Sequence, residues 1–238
     1  MDNGIYTTLN RQSGLMQEMQ VVANNIANMS TTGFRREGVI FAEHVAALQG
    51  AEASLSMATA EGRAVNMSQG VLQQTGGRFD LAIEGEGFFM IQTPDGNQLT
   101  RAGTFAASPE GALVTAEGFP VLDAGGAPIA MPPGATQVTV ARDGTMSANG
   151  QPVAQVGIFL PVDPNELIEV AGTRFKTTQA PQATEGGAIF QGFLEGSNVN
   201  PVMEITRMIA VQRAYEMGQS FLESEDSRIK SVVQTIGR

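Results

Sequence analysis

The chain opens with NGIYTTLNRQSGLMQEMQVVANNIANM at residues 3–29 and closes with PVMEITRMIAVQRAYEMGQSFLESEDSRIKSVVQTIG at residues 201–237. Both segments read as long amphipathic helices, with apolar residues recurring at alternating steps of three and four. In the first, Ile5, Leu9, Met16, Met19 and Ile26 mark a stripe whose one missing place is filled by Gln12. In the second, Ile205, Met208, Gln212, Tyr215, Leu222, Ile229, Val233 and Ile236 share a face. A period near 3.5 belongs to a coiled-coil seam rather than to the broader stripe of an ordinary surface helix. Matching seams at the two ends point to a chain that pairs its own termini, or pairs them with neighbouring copies. Assembly is therefore expected before catalysis.

End signals agree with these spans. Asp2 or Asn3 can cap the first helix, and Asn28 with Thr31-Thr32-Gly33 can close it, Gly33 taking a left-handed conformation. Asn198 or Asn200 can cap the second helix, where Pro201 sits at a position that needs no N–H. Glu204–Arg207, Arg213–Glu216, Glu225–Arg228 and Asp226–Lys230 are spaced for ion pairs along one helix. The first helix is poor in charge: residues 1–34 carry only Asp2, Arg11 and Glu18. Asn24, Asn25 and Asn28 fill its polar face instead, although asparagine is a mediocre interior helix former. An uncharged polar face suits a helix packed on several sides, where buried ions would be costly. Helices of this kind are marginal alone, so both termini are expected to be mobile in a monomer and to order on assembly.

Between the ends the period switches to two. Strand signals at residues 79–83, 88–91, 99–105, 112–115, 120–122, 138–141, 145–147 and 156–160 alternate with turns such as Pro94-Asp95-Gly96 and Asn149-Gly150. Weaker strand signals follow at residues 173–177 and 188–194. Such spacing predicts an all-β sandwich or distorted barrel. The expected fold is thus α+β: residues 1–34 and 200–238 form a helical assembly domain pairing as a coiled coil. Residues 35–69 are a connector, with Phe41, Val45 and Leu48 at helix-like spacing, and residues 70–199 are the central β domain.

Composition excludes several classes. A formal net charge of −10, with lysine only at 176 and 230, argues against a nucleic-acid partner. No cysteine is present, so disulfides and thiolate metal sites are ruled out. No run of about 18 apolar residues occurs, so no membrane span is expected, and no cleavable signal peptide is visible. The single histidine, His44, lies in the connector without a glycine-elbow serine, and it is read as an ordinary histidine. Glu84 and Glu86 sit in a glycine turn, which explains them more simply than catalysis does. No catalytic residue, metal site or cofactor is expected.

Three ordered blocks then carry a resemblance. ANNIANMSTTGF at 23–34 resembles the N-terminal motif of bacterial flagellar axial proteins of the rod and hook. LAIEGEGFFMI at 81–91, LTRAGTF at 99–105 and GALVTAEGFPVL at 111–122 resemble the β domain of the rod proteins, and EGSNVNPVMEITRMIAVQRAYE at 195–216 their C-terminal motif. The chain is identified as a member of the flagellar basal-body rod family, nearest its proximal-rod branch, with the distal rod as near relative. The resemblance implies a non-enzymatic subunit in the periplasmic rod, exported by the flagellar type III apparatus without a cleaved signal. It implies helical assembly with copies of itself and other rod proteins, the terminal helices forming an inner coiled-coil tube and the β domain an outer layer. On that reading the two seams and the Asn24, Asn25, Asn28 face are the assembly interface. A distal-rod or hook subunit is the alternative within the family. A secreted β-domain enzyme or binding protein with coiled-coil ends is the alternative outside it.

Overall fold

A computed structural model describes residues 2–46, 55–135, 137–163, 166–184 and 186–236. The chain forms two compact units. The first comprises Met1–Ala27, Glu37–Asn66 and Asn200–Arg238; the second comprises Asn28–Arg36 and Met67–Val199.

The first unit holds helix α1 (Asp2–Ala27), helix α2 (Pro201–Ile236) and an antiparallel pair of strands, β1 (Glu37–Ala46) and β2 (Leu55–Val65). Helix α2 begins as its sequence predicts. The Asn200 side-chain oxygen accepts from the amides of Val202 and Met203 at 3.1 and 3.2 Å, satisfying two of the orphan donors of the first turn. The strands replace the helix-like segment expected around Phe41 and Val45. Those two positions are also compatible with a period of two, and the run Val39-Ile40-Phe41 favours the extended state. His44 stands opposite Met57 in this ladder, whose register shifts between Ile40 and Phe41. Leu48 lies outside the described residues.

The second unit is built from short antiparallel strands. Its largest sheet has four, in the order Ile168–Ala171, Arg174–Lys176, Gly96–Thr100, Phe89–Thr93. A three-stranded sheet joins Gln151–Gln155, Thr145–Ala148 and Val138–Val140, and two-stranded pairs complete the set. No closed barrel forms among the described residues, so the structure bears out a central β-rich region at that coarser level. Leu81, Ile83, Phe89, Ile91, Leu113, Val121 and Ile189 interdigitate in the core. Each such side chain contributes about 1.5–3 kcal/mol by leaving water. Phe89 and Phe105 meet edge to face at 5.2 Å, the arrangement ring quadrupoles favour.

Two glycines allow close approach in this unit. A Cβ on Gly103 would lie 1.6 Å from the Leu81 carbonyl oxygen. Gly33 has φ +71°, and a Cβ there would lie 2.3 Å from the amide nitrogen of Ala102. The left-handed Gly33 expected from STTGF is therefore present, and it packs against the LTRAGTF loop.

Candidate functional site: a helix pair and two buried polar clamps

α1 and α2 run antiparallel. Asn25 meets Glu204, Glu18 meets Arg207, and the Gln12 amide donates to the Tyr215 carbonyl at 3.0 Å. On α2 the buried or half-buried positions are Glu204, Met208, Val211, Ala214, Tyr215, Gly218, Leu222 and Glu225, which apart from Ala214 recur at steps of four and three. On α1 the buried positions are Gly14, Glu18, Val21, Val22 and Asn25. A Cβ on Gly218 would come within 2.6 Å of the Gln12 amide nitrogen, so its absence lets Gln12 lie close across α2.

The residues expected to form the seams divide between two faces. Met19, Ile26, Met208, Tyr215 and Leu222 are half-buried, whereas Leu9, Met16, Ile205, Gln212, Ile229 and Val233 are exposed. The side chains of Ile5 and Ile236 lie outside what is described. Of the asparagines, Asn25 is wholly buried, and Asn24 and Asn28 are half-buried. The face on which the two helices meet includes Glu18, Asn25 and Glu204, polar residues that a hydrophobic template skips.

Those polar residues form the first clamp. Asn25 mimics a strand partner: its Oδ1 accepts from the Glu37 amide, and its Nδ2 donates to the Glu37 carbonyl, both at 2.9 Å. The same Nδ2 reaches the Glu204 carboxylate at 3.2 Å. One buried amide thus joins α1, the start of β1 and the first turn of α2. Glu204 is well placed for a buried carboxylate, because the helix N-terminus supplies positive potential. Nearby, Glu18 engages Arg207, and the Glu37 carboxylate takes Arg63 at 3.4 Å. Of the helix ion pairs expected from spacing, Glu225–Arg228 and Asp226–Lys230 form.

The second clamp lies inside the β-rich unit and centres on Glu195. Its two carboxylate oxygens each take one guanidinium, Arg35 and Arg101, both at 2.9 Å, and Oε1 also accepts from the Gly70 amide at 2.9 Å. Arg101 further donates to the carbonyls of Ile83 and Gly85, and lies over the Phe88 ring. Arg35 donates to the Ser68 carbonyl. All three side chains are at most 3% exposed. Within the triad two positive charges face one negative, and the exposed carboxylate of Glu86 adds a weaker favourable charge for Arg101. Burial lowers the Arg35 pKa to about 10 despite the opposing pull of Glu195, with the neighbouring Arg101 charge lowering it further. Burial likewise lowers Arg101, again against Glu195. Beside the triad, Asn198 accepts from the Arg36 amide at 2.6 Å and donates to the Ser68 carbonyl at 2.7 Å.

Arg35 follows STTGF, Arg101 lies in LTRAGTF, and Glu195 opens EGSNVNP. The sequence motifs at both ends and the centre therefore converge on one buried triad, which sequence reasoning missed. Charged residues inside otherwise apolar blocks, in a chain only 16% charged, were the available signal.

A chain with paired terminal helices and motifs locked into a β-rich unit can be compared directly with known proteins. Residues 5–35 match the family model described as flagella basal body rod protein. Residues 82–148 match the flagellar hook protein FlgE/F/G D1 domain, and residues 191–235 the flagellar basal body rod FlgEFG protein C-terminal region. The flagellar basal-body rod protein FlgF of Caulobacter vibrioides is 40% identical over 244 residues, covering 100% of this chain and 99% of that protein. FlgF of Salmonella typhimurium is 36% identical over 243 residues, 95% of each chain. FlgG of Bacillus subtilis is 30% identical over 260 residues, 98% of each. The chain belongs to the flagellar basal-body rod protein family, whose members are structural subunits of the flagellum rather than enzymes. Within that family it is FlgF-like along its whole length. As a rod subunit it associates with other rod components, and no helix among the described residues is long and apolar enough to cross a membrane.

Proposed function

We propose that this subunit is built into the proximal rod and polymerises helically through its terminal helices, which pair as an antiparallel coiled coil and form the inner tube. The observation that supports this reading is the apolar surface left open on that pair. Leu9 and Met16 on α1, and Val202, Ile205, Phe221 and Val233 on α2, are each between 45% and 73% exposed. An apolar surface of this extent on helices that already pair with each other calls for further partners.

Contacts between unlike surfaces that do not close on themselves generate a filament. A filament whose subunits each touch several others carries torque across the periplasm. On this reading the chain leaves the cytoplasm through the flagellar apparatus without a cleaved signal, and its terminal helices meet their further partners at the growing tip. The test is deletion. Chains lacking residues 1–30 or 205–238 should fail to enter rods while exchange protection of the β-rich core persists. Intact flagella built from either truncation would contradict the proposal.

A further inference from the structure

We propose that the last three turns of α2 are a docking site for the outward face of an α1 helix belonging to the neighbouring subunit. The inference rests on the rod-subunit reading above and assigns one of its contacts. α2 has 36 residues and α1 has 26, so α2 is longer by about 15 Å. The antiparallel contacts of Asn25 with Glu204 and Gln12 with Tyr215 bring the start of α1 opposite the region of Glu225. The remainder of α2 extends beyond it.

The pairing pattern does not stop there. The series Glu204, Met208, Val211, Tyr215, Gly218, Leu222, Glu225 continues at the same alternating steps to Ile229, Val232 and position 236. The first seven positions are buried or half-buried. Ile229 and Val232 are 46% and 51% exposed, and Val233 beside them is 64% exposed. The charges of this segment are paired along the helix, Arg228 with Glu225 and Lys230 with Asp226, both at 2.6 Å. An apolar strip of α1-binding pattern is thus left between neutralised flanks.

The outward face of α1 has the chemistry to occupy it. Leu9 and Met16 are nearly half exposed there, seven residues apart. Of the three charges in residues 1–34, Glu18 is turned inward to Arg207. From Leu9 to Met16 that face carries no charge, Asp2 lying a further heptad before Leu9, so this stretch can lie on an apolar strip without stranding a buried ion. Each α1 would then be held between its own α2 and the end of a neighbour's. Because the two surfaces are unlike, the contact repeats without closing.

The test uses the full chain and, as probe, a labelled peptide of its own residues 1–34. The parent chain should bind the peptide saturably. The I229D/V232D variant should bind at least about tenfold more weakly, the loss expected for placing charge in an apolar contact. Its helix content and melting should stay unchanged, since neither residue is covered within the chain, and Q219D should bind as the parent does. Equal binding by I229D/V232D, or no saturable binding by the parent, would overturn the proposal. In cells, I229D/V232D should block rod assembly. Normal rods with I229D/V232D, together with none after deletion of residues 205–238, would overturn this docking site and leave the rod-subunit reading standing.

Discussion

Glu195→Gln removes one negative charge from the centre of the β-rich unit while hardly altering side-chain shape. The structure sets the size of the effect. Glu195 holds Arg35 and Arg101 at 2.9 Å each, and those arginines are 2% and 3% exposed. With glutamine in place, the net charge of the triad rises from +1 to +2, Arg35 loses its counter-charge, and Arg101 is left with only the exposed carboxylate of Glu86. Breaking a buried ion cluster by removing one partner costs about 3–5 kcal/mol. Backbone amides of the core strands Leu81–Glu84 and Phe89–Thr93 that exchange through unfolding of this unit should therefore exchange about 100- to 4000-fold faster. Hydrogen exchange read by mass spectrometry suits the purpose, because it follows this unit separately from the helices. Arg35→Met is the internal control. It leaves Glu195 paired with Arg101 and removes the excess charge, so its cost should stay below about 2 kcal/mol. Exchange in Glu195→Gln within threefold of the parent, or Arg35→Met as damaging as Glu195→Gln, would refute the view that the carboxylate neutralises the cluster.

Burial lowers the Arg35 pKa in the folded chain to about 10, below its unfolded value, so its favourable contribution is complete only above the unfolded value and is lost as pH falls through 10. The unfolding free energy of the parent relative to Arg35→Met should therefore rise by about 1 kcal/mol as pH is raised from about 9 to 11; a flat difference would contradict the burial argument. Asn25→Leu should cost about 2–4 kcal/mol in the helical unit, because it strands the Glu37 backbone groups and removes a donor from buried Glu204. Faster exchange in α1 and at the start of β1 would report that loss. Gly103→Ala should fail to accumulate as folded protein, since the added carbon would lie 1.6 Å from the Leu81 carbonyl oxygen; a soluble variant with parent-like melting would contradict this. Arg207→Ala should cost about 1–3 kcal/mol by chemical denaturation, because it leaves the Glu18 carboxylate, only 10% exposed, without its partner.

Sequence periodicity located the terminal helices, because amphipathic segments of 26 and 36 residues give strong patterns. It also located most strands between residues 81 and 195, where turns at Pro94-Asp95 and Asn149-Gly150 punctuate an alternating pattern. The β1–β2 pair was hidden, since Phe41 and Val45 are four apart and satisfy helix and strand templates alike. Which face of each helix meets the other was only partly legible. Glu18, Asn25 and Glu204 lie on the pairing face, and a template that counts apolar residues skips them. The Arg35–Glu195–Arg101 triad was illegible for another reason: its members are 66 and 94 residues apart in sequence, and only the folded chain brings them together. Leu9, Met16, Ile205 and Ile229, which the sequence marks as apolar and periodic, are exposed in the folded chain.

The central claim is that this chain is a rod subunit held in place by its terminal helices. A density map of the intact rod, from cells whose only copy of this chain carries a small tag in an exposed loop of the β-rich unit, tests it most directly. The account predicts tagged subunits in the proximal rod, with α1 and α2 antiparallel in the innermost layer and Ile229 and Val232 covered by a neighbour's helix. Tagged density outside the rod, or terminal helices lying apart from the inner layer, would contradict it.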